Sequence, residues 1–176
     1  HSPEFLREAS AANDTAHPDR NIIGMPKNNK QYQKIAKQVL KILPKAPFNI
    51  ICNSKEAEFI KYAGNCWLYT KIVYVNILYD IVKKLGCNWE VIRKSMAADA
   101  RIGNSHLNPV HNNGRGAGGH CFLKDYAAFT VFYSKMVDDK FGIKVLKSIG
   151  EKNINLLLKS KKDIDLLESI YGKKMY

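Results

Sequence analysis

Cys121 is the side chain whose setting most suggests covalent chemistry. It closes the run Gly114-Arg-Gly-Ala-Gly-Gly-His-Cys121. Closely spaced glycines let a backbone approach a ligand and turn amide donors toward an anion. The residues that follow predict a helix over Phe122–Met136, and a cysteine at a helix N-terminus is favoured as its thiolate. Asp125 stands four residues on, one turn away on the same face. A thiol with a carboxylate in reach suits a nucleophile and its acid or base. A structural cysteine behind a glycine turn is the competing reading.

Three further clusters carry possible chemistry. Lys61 and Asn65 are also four apart, among Tyr62, Ala63, Gly64, Cys66 and Trp67. A lysine in such company needs a partner or a task, unless its head reaches water. In Ser2-Pro-Glu-Phe-Leu-Arg-Glu8, Glu4 and Glu8 flank an apolar pair in a proline-led loop, which is otherwise an ordinary capped turn. Arg101, within Asp99-Ala-Arg-Ile-Gly103, has the planar fork that fits phosphate oxygens, or else makes a surface ion pair.

The elements that position these residues are legible from periodicity and breakers. Residues 1–20 read as polar and irregular. Asn21–Ile23 is a short strand candidate, Asn29–Leu43 has a helical period ended by Pro44, and Phe48–Cys52 is a second short strand. Capping residues at Asn53 and Ser54 open a helix that runs to Leu85, where Gly86 ends it. Its roughly 30 residues span about 45 Å. Between Cys66 and Val82 it is apolar on nearly every side, as in a bundle core or a subunit interface. Asn88 caps a helix over Trp89–Ala98, a Gly/Asn-rich loop fills Gly103–Gly119, a helix covers Gly142–Lys159, and Asp163–Tyr171 adds a last turn or two. The expected fold is mainly α. A helical domain, 54–176, follows the strand-helix-strand tail of an α/β domain, 1–53.

Composition narrows the partners. Twenty-eight Lys+Arg against sixteen Asp+Glu leave a formal charge of +12 over 176 residues. Such an excess points to nucleic acid, an acidic membrane or a phosphorylated small molecule, or simply to lysines solvating helix faces. No compact basic block is present. The four cysteines form no C-x-x-C pair, and the five histidines add no metal spacing, so free thiols in a reducing, cytoplasmic compartment are expected, with no metal. No secretory signal is seen. The most apolar run, Cys66–Val82, contains Lys71, Asn76 and Asp80, which argues against a membrane span. The first residue is His1, so the chain is read as processed, tagged or cut from something longer.

Taken in order, P-E-F-L-R-E at 3–8, A-E-x-x-K-x-x-x-N at 57–65, D-x-R-I-G at 99–103 and G-x-G-G-x-C-F-x-K-D at 116–125 resemble the UDP-glucose and GDP-mannose dehydrogenases. His17-Pro-Asp-Arg-Asn-Ile-Ile-Gly24 is similar to that family's N-P-D-R-x-x-x-G. The resemblance runs from Ser2 to about Phe129. It implies a nucleotide-sugar 6-dehydrogenase that uses two NAD and one water to oxidise a sugar 6-alcohol to a carboxylate, UDP-glucose to UDP-glucuronate in the branch it most resembles. Cys121 would carry the thiohemiacetal and thioester. Lys61 and Asn65 would stabilise charge on the sugar's oxygen, and Asp125 and Glu4 would serve water activation. Glu8 would sit between sugar and nicotinamide, with Lys124 near the cofactor. Glu4, Phe5, Leu6, Arg7 and Glu8 would line the sugar site, and His106, Leu107, Asn108, Pro109, Val110 and Gly118 would contact the nucleotide sugar. Arg101 would reach the neighbouring subunit's substrate, in a homodimer built on the long helix.

Departures are visible too. Leu123 stands where the family has proline, Tyr126 where it has a small residue, and the loop between Pro109 and Gly116 is longer. Neither a G-x-G-x-x-G after a strand nor a second Rossmann-like domain after residue 160 is seen, so this chain is expected to neither bind NAD tightly nor turn over alone. GDP-mannose or a UDP-N-acetylhexosamine is the alternative substrate. A non-catalytic helical dimer module, or a basic nucleic-acid-binding helical protein, is the alternative class.

Overall fold

Asparagine side chains begin several elements. In the computed structural model, which describes residues 1–6 and 10–172, Asn29 accepts the Tyr32 amide at 2.9 Å and Asn88 accepts the Glu90 amide at 2.9 Å. Asn53 accepts the Lys55 amide while Glu56 reaches back to the Asn53 amide, at 2.9 and 2.7 Å. That reciprocal arrangement is a capping box. The helices so opened are α2 (Lys30–Ile42), α4 (Trp89–Ala98) and α3 (Ser54–Lys84). Arg7 and Glu8, named above, lie outside the described residues.

The chain divides into two compact units, His1–Gly64 and Asn65–Tyr176. In the first, β1 (Arg20–Met25) and β2 (Phe48–Asn53) pair in parallel, from Arg20 opposite Phe48 to Met25 opposite Asn53. A parallel pair needs a crossover connection, and α2 supplies it. Ile23, Met25 and Ala36 form the buried centre. Gly24 lies where a side chain would meet Ala57 Cβ at 2.7 Å and Ser54 Cα at 2.8 Å, so its lack of a side chain lets β1 lie close to the start of α3. The His1 ammonium donates to the Gly24 carbonyl, and the Gly24 amide donates to the His1 carbonyl, at 2.9 and 2.7 Å. Residues 1–20 are not wholly irregular. A short helix, α1 (Ala11–Ala16), forms where the Ser10 hydroxyl bonds the Asp14 carboxylate. Its single polar turn or two carry no apolar period to announce it.

The second unit is helical. The rest of α3 packs with α5 (His120–Met136), α6 (Lys140–Ser160) and α7 (Ile164–Tyr171). Tyr69 and Tyr126 stack at its centre, rings 3.9 Å apart and 10° from parallel. A smaller cluster joins Val75, Val82, Trp89 and Leu107. The expected loop at 103–119 holds a hairpin, β3 (Val110–His111) and β4 (Gly114–Arg115), paired antiparallel. Asn112 and Asn113 turn it with φ of 50° and 58°, the two left-handed residues of a type I′ turn. Strands of two residues are too short to show alternation in sequence.

The chain is mainly helical, as expected. However, α3 is not buried all round in the single chain. Trp67, Tyr74 and Ile81 are 65%, 57% and 51% exposed, seven residues apart and therefore on one face.

Candidate active site

Two turns of helix bring the first cluster together. Cys121 is the second residue of α5 and is exposed. Gly119 precedes the helix with φ of 83° and has no side chain to cap it. The helix thus starts at His120, earlier than periodicity suggested, because glycine can make the left-handed entry. One turn on, Asp125 is buried, 3% exposed. Its Oδ2 accepts the Asn65 amide at 2.6 Å, and its Oδ1 meets the Lys124 ammonium at 2.7 Å. An ammonium and an amide, one on each oxygen, are what let a carboxylate remain in the interior. Asn65 comes from α3, so this bond ties the helix of the candidate oxyanion group to the helix of the thiol.

Cys66 is a different kind of cysteine. It is buried on α3, with its Sγ 3.9 Å from the Asp125 carbonyl. Burial, and then the Asp125 charge, push its thiol up to about 12. It belongs to the core.

Lys61 and Glu4 share a cavity of about 440 Å³, lined also by His1, Ser2, Pro3, Glu58 and Tyr62. Phe5 lies under the Arg20 guanidinium, 4.0 Å from its ring centre, and Leu6 is exposed. Sequence reasoning gave Arg20 no role; its place in the H-P-D-R motif was the available signal.

The 106–110 segment is split. His106 is left-handed, with φ of 60°, and meets Phe122 edge-on at 5.9 Å. Leu107 is buried, 1% exposed, against Val75 and its neighbours, so it can offer a ligand only its backbone. Asn108, Pro109 and Val110 line a second cavity, about 510 Å³, with Tyr79, Lys83, Cys87, Asn88, Trp89 and Glu90. Arg101 is the outlier. Its guanidinium pairs with Asp99 at 2.7 Å and its side chain is 89% exposed.

The residues that sequence reasoning missed hold the glycine loop. Arg115 donates to the Asn76 side chain at 2.8 Å and the Asn76 carbonyl at 3.0 Å, and pairs with Asp80 at 2.6 Å. Burial works against the Asp80 carboxylate, but Arg115 and Lys152 prevail and hold it below its usual range. Asn153, fully buried, accepts the Ala117 amide at 2.7 Å and donates to the Ala117 carbonyl at 2.9 Å. The signal for both asparagines was a polar residue at a core position of an apolar helix. Gly118, expected at the substrate, lies where a side chain would meet Asp163 and Lys162.

Among the described residues no group of three or more His, Cys, Asp or Glu could hold a metal ion, and no helix is long and apolar enough to cross a membrane.

Residues 55–155 match the central domain of the UDP-glucose/GDP-mannose dehydrogenase family. The chain is similar to the UDP-glucose 6-dehydrogenase of Rickettsia felis, 35% identical over 158 residues, which are 89% of this chain and 34% of that protein. A putative UDP-glucose 6-dehydrogenase of Bacillus subtilis is 32% identical over 173 residues, 98% of this chain and 39% of its own length. The solved UDP-glucose dehydrogenase of Pyrobaculum islandicum superposes with a TM-score of 0.74 at 31% identity, covering 97% of this chain and 36% of that one. The chain thus spans a third or slightly more of these relatives.

Proposed function

This chain belongs to the UDP-glucose/GDP-mannose dehydrogenase family, and from that premise we propose that it carries the thiol-bearing part of an NAD-dependent nucleotide-sugar 6-dehydrogenase acting on UDP-glucose. The observation that carries the reading is Cys121 one turn from a buried Asp125 whose second partner is Asn65. Residues 1–53 are then the end of a cofactor domain and 54–176 the central helical domain. The cytoplasm is the matching compartment, and the positive charge suits a diphosphate substrate.

NAD supplies the acceptor for the two hydrides. The described residues do not fit a cradle for its pyrophosphate: the turn from β1 into α2 reads Pro26-Lys-Asn-Asn29, and Asn29 already caps the helix with its own side chain. What this chain contributes lies on the sugar's side. The Cys121 sulfur adds to the C6 aldehyde and forms the C–S bond of a thiohemiacetal. The oxygen that gains charge meets the Lys61 ammonium and Asn65, whose NH2 group has two donors. The one that Asp125 takes fixes the amide plane, which leaves the other for the oxygen. Once the adduct is oxidised to the thioester, water attacks the carbonyl carbon, the C–S bond breaks, and the acid leaves with Cys121 restored. Asp125 and Glu4 are the carboxylates that orient this water or take its proton. Lys124, on Asp125, would lie near the cofactor.

The exposed face of α3 fits a second copy of the chain, and Arg101, projecting into solvent, then reaches the neighbour's substrate. Incubating the chain with UDP-glucose 6-aldehyde tests the reading. Cys121 should be protected from iodoacetamide, with GDP-mannose and UDP-N-acetylhexosamine aldehydes as comparators. Alkylation at an unchanged rate under saturating aldehyde would sink it. The chain with NAD and UDP-glucose should show no steady NAD reduction, and turnover would overturn the partial-enzyme reading.

A further inference from the structure

We propose that Asp163, assisted by Lys162, is a positioning residue for Cys121: it clasps the end of the glycine loop that delivers the sulfur, without touching substrate. The inference rests on the reading of Cys121 as nucleophile.

Asp163 stands just before α7, where an aspartate ordinarily accepts an amide of its own helix. It makes no such cap. Instead its Oδ2 accepts the Gly119 amide at 2.8 Å, forty-four residues away and two before Cys121. The link between α6 and α7 turns sharply, with Lys161 closing α6 as its C-cap. Lys161 and Asp163 both lie in the left-handed region, with φ of 55° and 53°, a conformation that side-chain-bearing residues adopt at a cost.

The loop is shaped to receive the clasp. Gly114, Gly116 and Gly118 each turn the bare side of the residue toward α6 or the residues that follow it. A side chain at Gly114 would meet Lys162 Cβ at 2.6 Å, and one at Gly116 would meet Asn153 Oδ1 at 2.9 Å. One at Gly118 would run into the Asp163 carboxylate, with Lys162 Cε at 2.7 Å. The Lys162 ammonium donates to the Gly116 carbonyl at 3.2 Å, and Ser160 accepts the Arg115 amide at 3.0 Å. The glycines are thus a bare strip laid on the last turns of α6 and the link to α7. Asp163 is the last fastening before the sulfur.

The test uses the 176-residue chain without substrate or NAD. Amide exchange of Gly119 is followed by NMR. Cys121 alkylation by iodoacetamide is followed by peptide mass spectrometry, with exposed Cys87 on the same molecules as the clock. Asp163→Gly removes the acceptor yet suits a left-handed φ, and Asp163→Asn keeps an acceptor oxygen and tolerates that φ. In wild type the Gly119 amide should be protected. In D163G it should exchange at least about tenfold faster, and the Cys121-to-Cys87 rate ratio should rise about threefold as the loop loosens. D163N should restore both. Should D163G not fold, Gly118→Ala, which presses a methyl onto the Asp163 carboxylate, should raise the ratio in the same way. An unprotected Gly119 in wild type overturns the proposal. So does an unchanged ratio in the folded variants, or a ratio raised equally in D163N, which would assign the effect to charge alone. A chain that passes here but fails to trap the aldehyde loses the proposed function and keeps the clasp.

Discussion

Two side chains next to each other on α3 have opposite demands. Asn65 satisfies one oxygen of a buried carboxylate. Removing it leaves that oxygen without its donor, a loss of about 2–3 kcal/mol for a charged acceptor. Urea unfolding of Asn65→Ala should show that loss in the midpoint at unchanged slope. Cys66 must instead stay protonated. The folded thiol keeps its proton up to about 12, against 9.0 for a free one. Above 9.0 the unfolded chain therefore binds fewer protons, so stability is full below that pH and falls as pH rises toward 12. Burial raises Tyr69 and Tyr126 in the same sense. Thermal midpoints between pH 8 and 11 should fall, and Cys66→Ala should flatten part of the fall. Cys121, Asp125 and Asn65, though not the Asn65–Asp125 bond, were singled out as site candidates because spacings of four place residues on one helix face. Asp163 and Asn153 were not. Their partners lie dozens of residues away, and no periodicity reports a bond across that distance.

Among the elements, α3 is left with an uncovered apolar row in the single chain. Its seven-residue row of Trp67, Tyr74 and Ile81 is apolar and exposed, while Val73 and Val75 are buried. Replacing Trp67 and Tyr74 with glutamate should convert a dimer to a monomer in sedimentation equilibrium, since two charges would then be buried without partners. A chain that is monomeric before mutation rules out this face as the subunit interface. The long helices were read from sequence nearly to the residue, because their caps and stops are single, strong signals: Asn88 before α4, Gly86 after α3. The hairpin at 110–115 escaped notice for want of length, and the start of α5 was misplaced because a glycine cap leaves no side-chain signature.

For the whole molecule, the two units are unequal. The first rests on a two-stranded parallel pair, with Phe48 and Ile50 of β2 exposed, although such pairs are ordinarily covered on both faces. The second has a contiguous helical core with five side chains of 0% exposure: Tyr69, Ala117, Leu123, Leu157 and Leu167. Hydrogen exchange should release the amides of β1 and β2 well before those of α5 and α6, because local stability follows buried apolar contact. Equal protection would mean that the first unit has support beyond its own core. The hairpin turn also gives the molecule a chemical age. Asn113 precedes Gly114, the pairing most open to deamidation, in which the glycine nitrogen attacks the asparagine carbonyl and ammonia leaves. Here Gly114 is buried and strand-paired with His111, so the attack must wait for the hairpin to open. Each event turns a neutral side chain into an acid on a strongly basic protein. The slow appearance of acidic charge variants on storage would therefore record how often the hairpin beside the glycine strip comes apart.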